Sequence, residues 1–390
     1  MKFKAFLLVA IMAVIGVQSY AQNVTPNVIT TAVPFISIAP DARAGSMGDC
    51  GVSSDPDVYS MHYNPAKYAF MENNWSIGLG YSPWLRNLVQ DMGLAYLAFG
   101  KKLNNESAIA ATLRYFNVGE ITFRDNTGHE TGTYHPNEWA IDVAYSRMLT
   151  EYLSGAVAGR FIYSNLTLGQ ADTHAGYSVA ADVAVYYKRP VEWFSDMDAD
   201  FSWGVSITNI GSKVDYSDSS IEKDFIPTTL RFGPSLRMDL NEYNSLAFMV
   251  DITKLLVPTS PTYYPGTDSI VYGYSDDVSV PVGIIQSFYD APGYQYNDYG
   301  ELVGKGPFYE ELCEYNIGVG VEYWYNKVFS VRAGYFNETA IKGNRKYVTM
   351  GAALKYNVFG LDVSYLVPVS GTIGTNPLEN TLRFNLTLNF

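Results

Sequence analysis

The chain has 390 residues, enough for one large barrel or two ordinary domains, and a net charge of −13. That acidity excludes nucleic acid as a partner, which requires a basic surface, and serves first to keep loops soluble. Thirty-two Tyr, twenty Phe, six Trp and thirty-three Gly suit a β-structure with aromatic girdles.

In chain order, residues 1–21 read as a signal peptide. Lys2 and Lys4 form a positive start, Ala5–Val17 an apolar core, and Ser19-Tyr20-Ala21 a small-x-small cleavage site, so the mature chain is expected to begin at Gln22. The apolar core is too short to cross a bilayer as a helix, and no later run of eighteen apolar residues exists. Any membrane span must therefore be built of strands.

Residues 22–73 do not read as membrane strands. They hold Pro26, Pro34, Pro40, Pro56 and Pro65 with Gly45, Gly48 and Gly51, yet their sparse charge and apolar content argue against a disordered tail. A luminal plug fits better, because a wide barrel leaves room that strand side chains alone do not fill.

Residues 74–390 break into fourteen segments of period two: 74–82, 92–101, 106–118, 137–148, 152–165, 175–188, 199–210, 228–238, 243–254, 314–326, 328–338, 345–357, 359–369 and 380–390. Alternation places one residue set on each face of a strand, and most segments have the length a tilted strand needs to cross a bilayer. The second segment (Leu94, Ala95, Tyr96, Leu97, Ala98, Phe99) shows no clean phase. Pro234 removes a ladder donor inside the eighth, where a bulge is expected. The last segment alternates Leu382, Phe384, Leu386, Leu388 and Phe390 with polar residues and is expected to close the barrel. The fold class is thus all-β: a 14-stranded antiparallel transmembrane β-barrel with an N-terminal luminal plug.

Connection lengths agree with it. Asn104-Asn105, Thr150-Glu151, Asp239–Glu242, Asn326-Lys327 and Asn357-Val358 are tight, with Arg189–Asp198 the longer exception. The alternate set includes the long stretches 119–136, 166–174, 211–227, 255–313 and 370–379, as expected for short periplasmic turns and longer outer loops. With the apolar face toward lipid, the lumen receives Arg114, Asp142, Arg160, Asp182, Arg231, Arg237, Asp251, Glu322, Arg332, Lys355, Asp362 and Arg383. Mixed signs predict paired charges in a filled lumen rather than a one-sided pore lining.

The outer loop 255–313 combines Asp268, Asp276, Asp277, Asp290, Asp298, Glu301, Glu310 and Glu311 with Tyr263, Tyr264, Tyr272, Tyr274, Tyr289, Tyr294, Tyr296, Tyr299 and Tyr309. Loops of this length are usually functional or disordered, and Tyr is enriched in interfaces because it buries area with few rotamers. Tyr263, Tyr264, Tyr272, Tyr274, Tyr289, Tyr294, Tyr296 and Tyr299 are the candidate partner-binding residues, with the acidic residues steering encounter. A lid that only seals the barrel and a solvated acidic surface are the alternatives.

No catalytic, cofactor-binding or metal-ligating set emerges. His62, His129, His135 and His174 form no zinc-enzyme motif, and there is no Gly-x-Ser-x-Gly elbow. Ser60 and His62 are close in sequence, but a hydrolase needs a spatial triad. Cys50 and Cys313 are expected to be two separate thiols, a disulfide being the alternative in an exported protein.

The stretch Asp41-Ala42-Arg43-Ala44-Gly45-Ser46-Met47-Gly48, followed by Asp57-Val58-Tyr59-Ser60-Met61-His62-Tyr63-Asn64-Pro65-Ala66, resembles the PorV proteins of the type IX secretion system. They belong to the wider FadL-like barrels, which share the Asn-Pro-Ala element, here Asn64, Pro65 and Ala66, in the plug. The resemblance extends over essentially the whole mature chain. It implies the outer membrane of a Gram-negative bacterium and a carrier role in protein export. Its implied partners are an outer-membrane translocon (Sov/SprA-like), the C-terminal signal domains of cargo, a PorU-like sortase with its attachment complex, and membrane lipids including lipopolysaccharide. Two other readings stay open: a FadL-like transporter of hydrophobic small molecules, and a lipopolysaccharide-modifying deacylase, for which no nucleophile–base pair is recognisable.

Overall fold

A computed structural model describes residues 26–84, 91–124, 127–166, 173–193, 197–217, 223–297, 299–369 and 381–390. The signal peptide and its cleavage site fall outside the described residues.

Fourteen antiparallel strands close into a barrel, each paired to the next and the last to the first. They are β1 (Trp75–Pro83), β2 (Gly93–Lys102), β3 (Ser107–Asn117), β4 (Asn137–Met148), β5 (Leu153–Asn165), β6 (Gly176–Val191) and β7 (Asp198–Gly211) on one half. The other half comprises β8 (Thr229–Asp239), β9 (Asn244–Leu255), β10 (Asn316–Tyr325), β11 (Phe329–Asn337), β12 (Lys346–Tyr356), β13 (Phe359–Pro368) and β14 (Thr381–Asn389). Each coincides with a predicted segment. Closure is by register: Ser76 lies opposite Asn389 and Tyr81 opposite Phe384. Beyond the last ladder pair, the Phe390 and Trp75 backbones exchange hydrogen bonds of 2.9 and 3.1 Å and their rings stack at 4.0 Å.

The phase follows from what each face meets. Leu79, Leu97, Leu113, Ile141, Val143, Val157 and Val179 stand exposed on the outer, lipid-facing wall. Of the twelve charges expected inside, Arg114, Asp142, Arg160, Asp182, Arg231, Asp251, Glu322, Arg332 and Arg383 are buried. Arg237, Asp362 and Lys355 are more open, and the Lys355 ammonium lies 4.5 Å over the Trp324 ring. Strand β2 lacks a clean pattern because both of its faces are apolar. Leu97 points to lipid, while Tyr96 and Ala98 pack on Val58 and Tyr59 of the plug.

The bulge expected at Pro234 does not form. Phe232 pairs with Ile252 and Ser235 with Met249 in unbroken register, and on the other side Pro234 lies opposite Trp203. Proline's missing donor is accommodated by leaving residues 233 and 234 unpaired toward β9, without inserting a residue. The irregularity lies instead between β6 and β7, where register shifts between Ala181 and Val183 and Asn209 adopts a positive φ of 63°. Asp182 holds this bulge by accepting from the Asn209 N–H at 2.7 Å.

Residues 26–73 run through the lumen from its outer to its inner end. Asn27 N–H donates to Ile341 O and Ala32 N–H to Phe225 O, each at 2.8 Å, in the outer loops. At the opposite end the Lys102 N–H donates to Asn74 O, also at 2.8 Å. Between them, helix α1 (Ala42–Gly45) is capped by Asp41, which accepts from Ala44 N–H at 2.8 Å. Wall and plug approach at backbone distance: a Cβ on Gly334 would lie 2.1 Å from Gly48 N, and Gly48 itself has a φ of +66°.

Candidate docking surface at the outer cap

The lumen is a filled, charge-balanced interior. Glu322 accepts from Arg43 of the plug at 2.8 Å and from Arg332 of the wall at 2.8 Å, and Arg332 also reaches Asp362 at 2.6 Å. Arg160 bridges Asp142 and Asp182 and also contacts Asn209 at the bulge. Asp251 accepts the N–H groups of Gly51 and Val52 at 2.7 and 2.8 Å. Arginine's planar fork suits this role, since it presents several donors in a fixed geometry and can reach two carboxylates at once, as Arg160 and Arg332 do.

Asn64-Pro65-Ala66 is an element by which the plug grips the wall. The Asn64 side chain caps the following 3₁₀ turn (Pro65–Phe70), accepting from Ala66 N–H at 3.0 Å. Its amide donates to the Val52 and Val185 carbonyls, both at 3.0 Å. Pro65 fits the first helical position, whose N–H is unused. Ala66 O accepts the hydroxyls of Ser146 and Ser154 at 2.9 and 2.7 Å. Facing wall residue Gly204 must lack a side chain, because its Cβ would sit 2.2 Å from Val52 O.

Above the lumen, residues 256–297 and 299–315 form a folded cap. It comprises a hairpin (Thr262–Tyr263 with Ile270–Tyr272), helix α2 (Val280–Gln286), a second hairpin (Tyr294–Tyr296 with Leu302–Gly304) and helix α3 (Pro307–Cys313). Proline in the first turn starts both helices, and Gly306, at a φ of 95°, lets the chain turn into α3. The second hairpin is tied by Asn297, whose side chain accepts from Tyr299 and Glu301 N–H at 3.0 and 2.8 Å.

The predicted tyrosines divide between two roles. Ring pairs Tyr264–Tyr296 (6.4 Å), Tyr272–Tyr294 (5.1 Å) and Tyr274–Tyr289 (5.6 Å) knit the cap together. Tyr263 is exposed beside Tyr264, and Tyr299, at the tip of the second hairpin, is 89% exposed. The outward surface also contains apolar residues that sequence reading missed: Val282 and Ile285 on α2, then Phe308 and Leu312 on α3, Phe308 being 78% exposed. Their i,i+3 and i,i+4 spacings, each just after a proline, were the available signal.

The acidic residues also divide. Asp268, Asp277 and Glu301 are exposed, but Asp290, Glu310 and Glu311 turn inward rather than offering a steering field. Glu310 bonds Lys342 at 2.7 Å, and Glu314 bonds both Lys342 (2.9 Å) and Lys254. Burial first, then neighbouring Glu314 and Glu311, push the Asp290 carboxyl up to about 7. Asp298 lies outside the described residues.

Cys50 and Cys313 are both free and buried. Cys50 sits in the lumen beside Gly318, and Cys313 in α3 of the cap. Ser60 and His62 do not form a pair: the Ser60 hydroxyl meets Asp57 at 3.3 Å, and His62 Nδ1 lies 3.1 Å from the Arg114 guanidinium. A guanidinium can only donate, so that nitrogen is an acceptor already engaged.

With this geometry in place, comparison with known proteins identifies the family. A model described as type IX secretion system protein PorV matches residues 20–262. The chain belongs to the PorV family. It is thus an outer-membrane component of the type IX secretion system. Among solved structures, the chain is similar to the Pseudomonas putida toluene transporter TodX at 12% identity, over 89% of this chain and 96% of that one, with a TM-score of 0.46. For the Ralstonia pickettii toluene transporter TbuX the values are 12%, 90%, 98% and 0.44. For a Pseudomonas aeruginosa FadL homologue they are 9%, 94%, 100% and 0.41. No curated protein matches the chain. The PorV match ends inside the first hairpin of the cap, so α2 and α3 lie beyond it.

Proposed function

We propose that this PorV-family barrel accepts secreted proteins by their C-terminal signal domain from the outer-membrane translocon and passes them to a surface sortase and attachment complex that works on lipopolysaccharide. The cap is the docking face. The observation that carries this reading is the cap itself: a folded body, braced internally by tyrosine pairs, that turns Ile285, Phe308, Leu312 and Tyr299 outward. A seal would bury such residues against the barrel, whereas exposed apolar groups on a rigid support are what an interface uses as anchors. A solute path through the lumen, by contrast, would require withdrawing residues 26–73 from contacts made at backbone distance.

The test is binding of a purified cargo signal domain to the purified barrel in detergent. Truncated anchors typically cost more than about 2 kcal/mol, so Ile285→Ser, Phe308→Ser and Leu312→Ser together should weaken binding by at least about 30-fold. The heat-modifiable gel shift of the barrel should not change. Equal affinity of wild type and triple variant rejects the cap as the docking face.

A further inference from the structure

Asp290, Glu311 and Glu314 bring one carboxylate oxygen each within 4.8 Å of the other two. They come from two parts of the cap: Asp290 follows α2, while Glu311 lies on α3 and Glu314 is its C-cap. Asp290 is 0% exposed. Its Oδ2 accepts from Thr259 N–H at 3.2 Å and from Gln286 at 3.4 Å, but its buried Oδ1 accepts no hydrogen bond. A buried carboxylate oxygen without a donor is costly and requires explanation.

Charge points the same way. With all four carboxylates ionised, the cluster sets Asp290, Glu310, Glu311 and Glu314 against Lys254 and Lys342, which leaves two negative charges uncompensated. Lys342 is engaged by Glu310 and Glu314 at 2.7 and 2.9 Å. Lys254 is held by Glu314, and its contact with Glu311 is long, at 3.4 Å, so that oxygen is weakly held. The donors are all oxygen, without His or Cys, which selects a hard cation.

We infer that Asp290, Glu311 and Glu314 form a calcium site that fastens the end of α2 to α3. Calcium fits because it accepts irregular carboxylate sets with ligand distances of about 2.3–2.6 Å, whereas magnesium demands near-octahedral geometry. It would supply the partner that Asp290 Oδ1 lacks and balance the two surplus charges. This inference concerns how the cap is braced and does not rest on the cargo reading.

The test uses the full-length barrel in lipopolysaccharide-free detergent, stripped with a chelator. Terbium is the probe, excited through nearby tyrosine, and calcium the competitor. Wild type should show saturable terbium luminescence displaced by calcium at about 0.1–1 mM, the range of extracellular calcium modules. Asp290→Asn should weaken terbium binding at least tenfold, while Glu301→Gln, on the second hairpin, should leave it unchanged. Calcium should also slow protease cleavage of the cap in wild type but not in Asp290→Asn. Should Asp290→Asn fail to assemble, Glu311→Gln serves in its place with the same expected loss. Absent wild-type luminescence, undiminished binding in the variants, or equal displacement by magnesium each overturns the assignment.

Discussion

The lumen and the cap are both acidic-and-basic interiors, yet they solve the problem of buried charge differently. In the lumen, arginine forks from plug and wall converge on one carboxylate from opposite sides, as Arg43 and Arg332 do around Glu322. In the cap, lysine ammoniums meet clustered carboxylates and leave a surplus of negative charge. The lumen is also tightened by glycines that let plug and wall backbones touch, whereas the cap is braced by paired tyrosine rings. The first construction suits a part that holds still. The second keeps apolar residues outward on a self-supporting body, which fits the docking role proposed for it.

The largest effect should come from breaking the wall that both regions share. Deleting Thr387–Phe390 removes the residues that pair with Trp75–Gly78 and leaves backbone groups unpaired in lipid, at several kcal/mol each. Loss of heat-modifiable migration is expected; normal assembly would contradict closure by β14. Next in size is the lumen network. Arg160→Met strands Asp142 and Asp182, both 1% exposed, and removing one partner of a buried pair costs about 3–5 kcal/mol. The temperature at which the barrel loses its folded gel mobility should fall clearly below that of wild type.

A smaller loss is expected at the plug's grip. Asn64→Ala removes one cap and two carbonyl contacts, together about 1–3 kcal/mol. A single cysteine at Ser46, in a Cys50→Ser, Cys313→Ser background, should resist a bulky impermeant maleimide on intact cells. Labelling should be faster when Asn64→Ala is added; equal rates would show that this motif does not secure the plug. The smallest effects separate the two kinds of cap tyrosine. Tyr272→Ala breaks a ring pair with Tyr294, about 0.5–1.5 kcal/mol beyond area, and should speed proteolysis of the cap. Tyr299→Ala, at an exposed tip, should change stability by less than about 0.5 kcal/mol.

The barrel was legible because period two and loop alternation repeat in every strand, so one uncertain phase, in β2, was fixed by its neighbours. What pairing partners decide was not legible. Pro234 signalled a bulge from its own chemistry, yet the inserted residue went to Asn209, where Asp182 and Arg160 reward it. The Asn64-Pro65-Ala66 motif was visible, but Gly204, the residue that makes room for it, carries no mark in the sequence. In the loop, tyrosine content signalled a folded surface without showing which rings pair with one another. The acidic residues gave no sign of turning inward, because their partners Lys254 and Lys342 lie outside the loop, at the end of β9 and beyond β11.

The proposed contrast between a static lumen and a cap that docks cargo is tested most directly by placing a photo-crosslinking residue at Phe308 in the cap or at Ser60 in the plug and irradiating cells during secretion. Adducts with cargo signal domains from Phe308, and none from Ser60, are the result expected. Adducts from Ser60 with none from Phe308 would place cargo in the lumen and contradict the account.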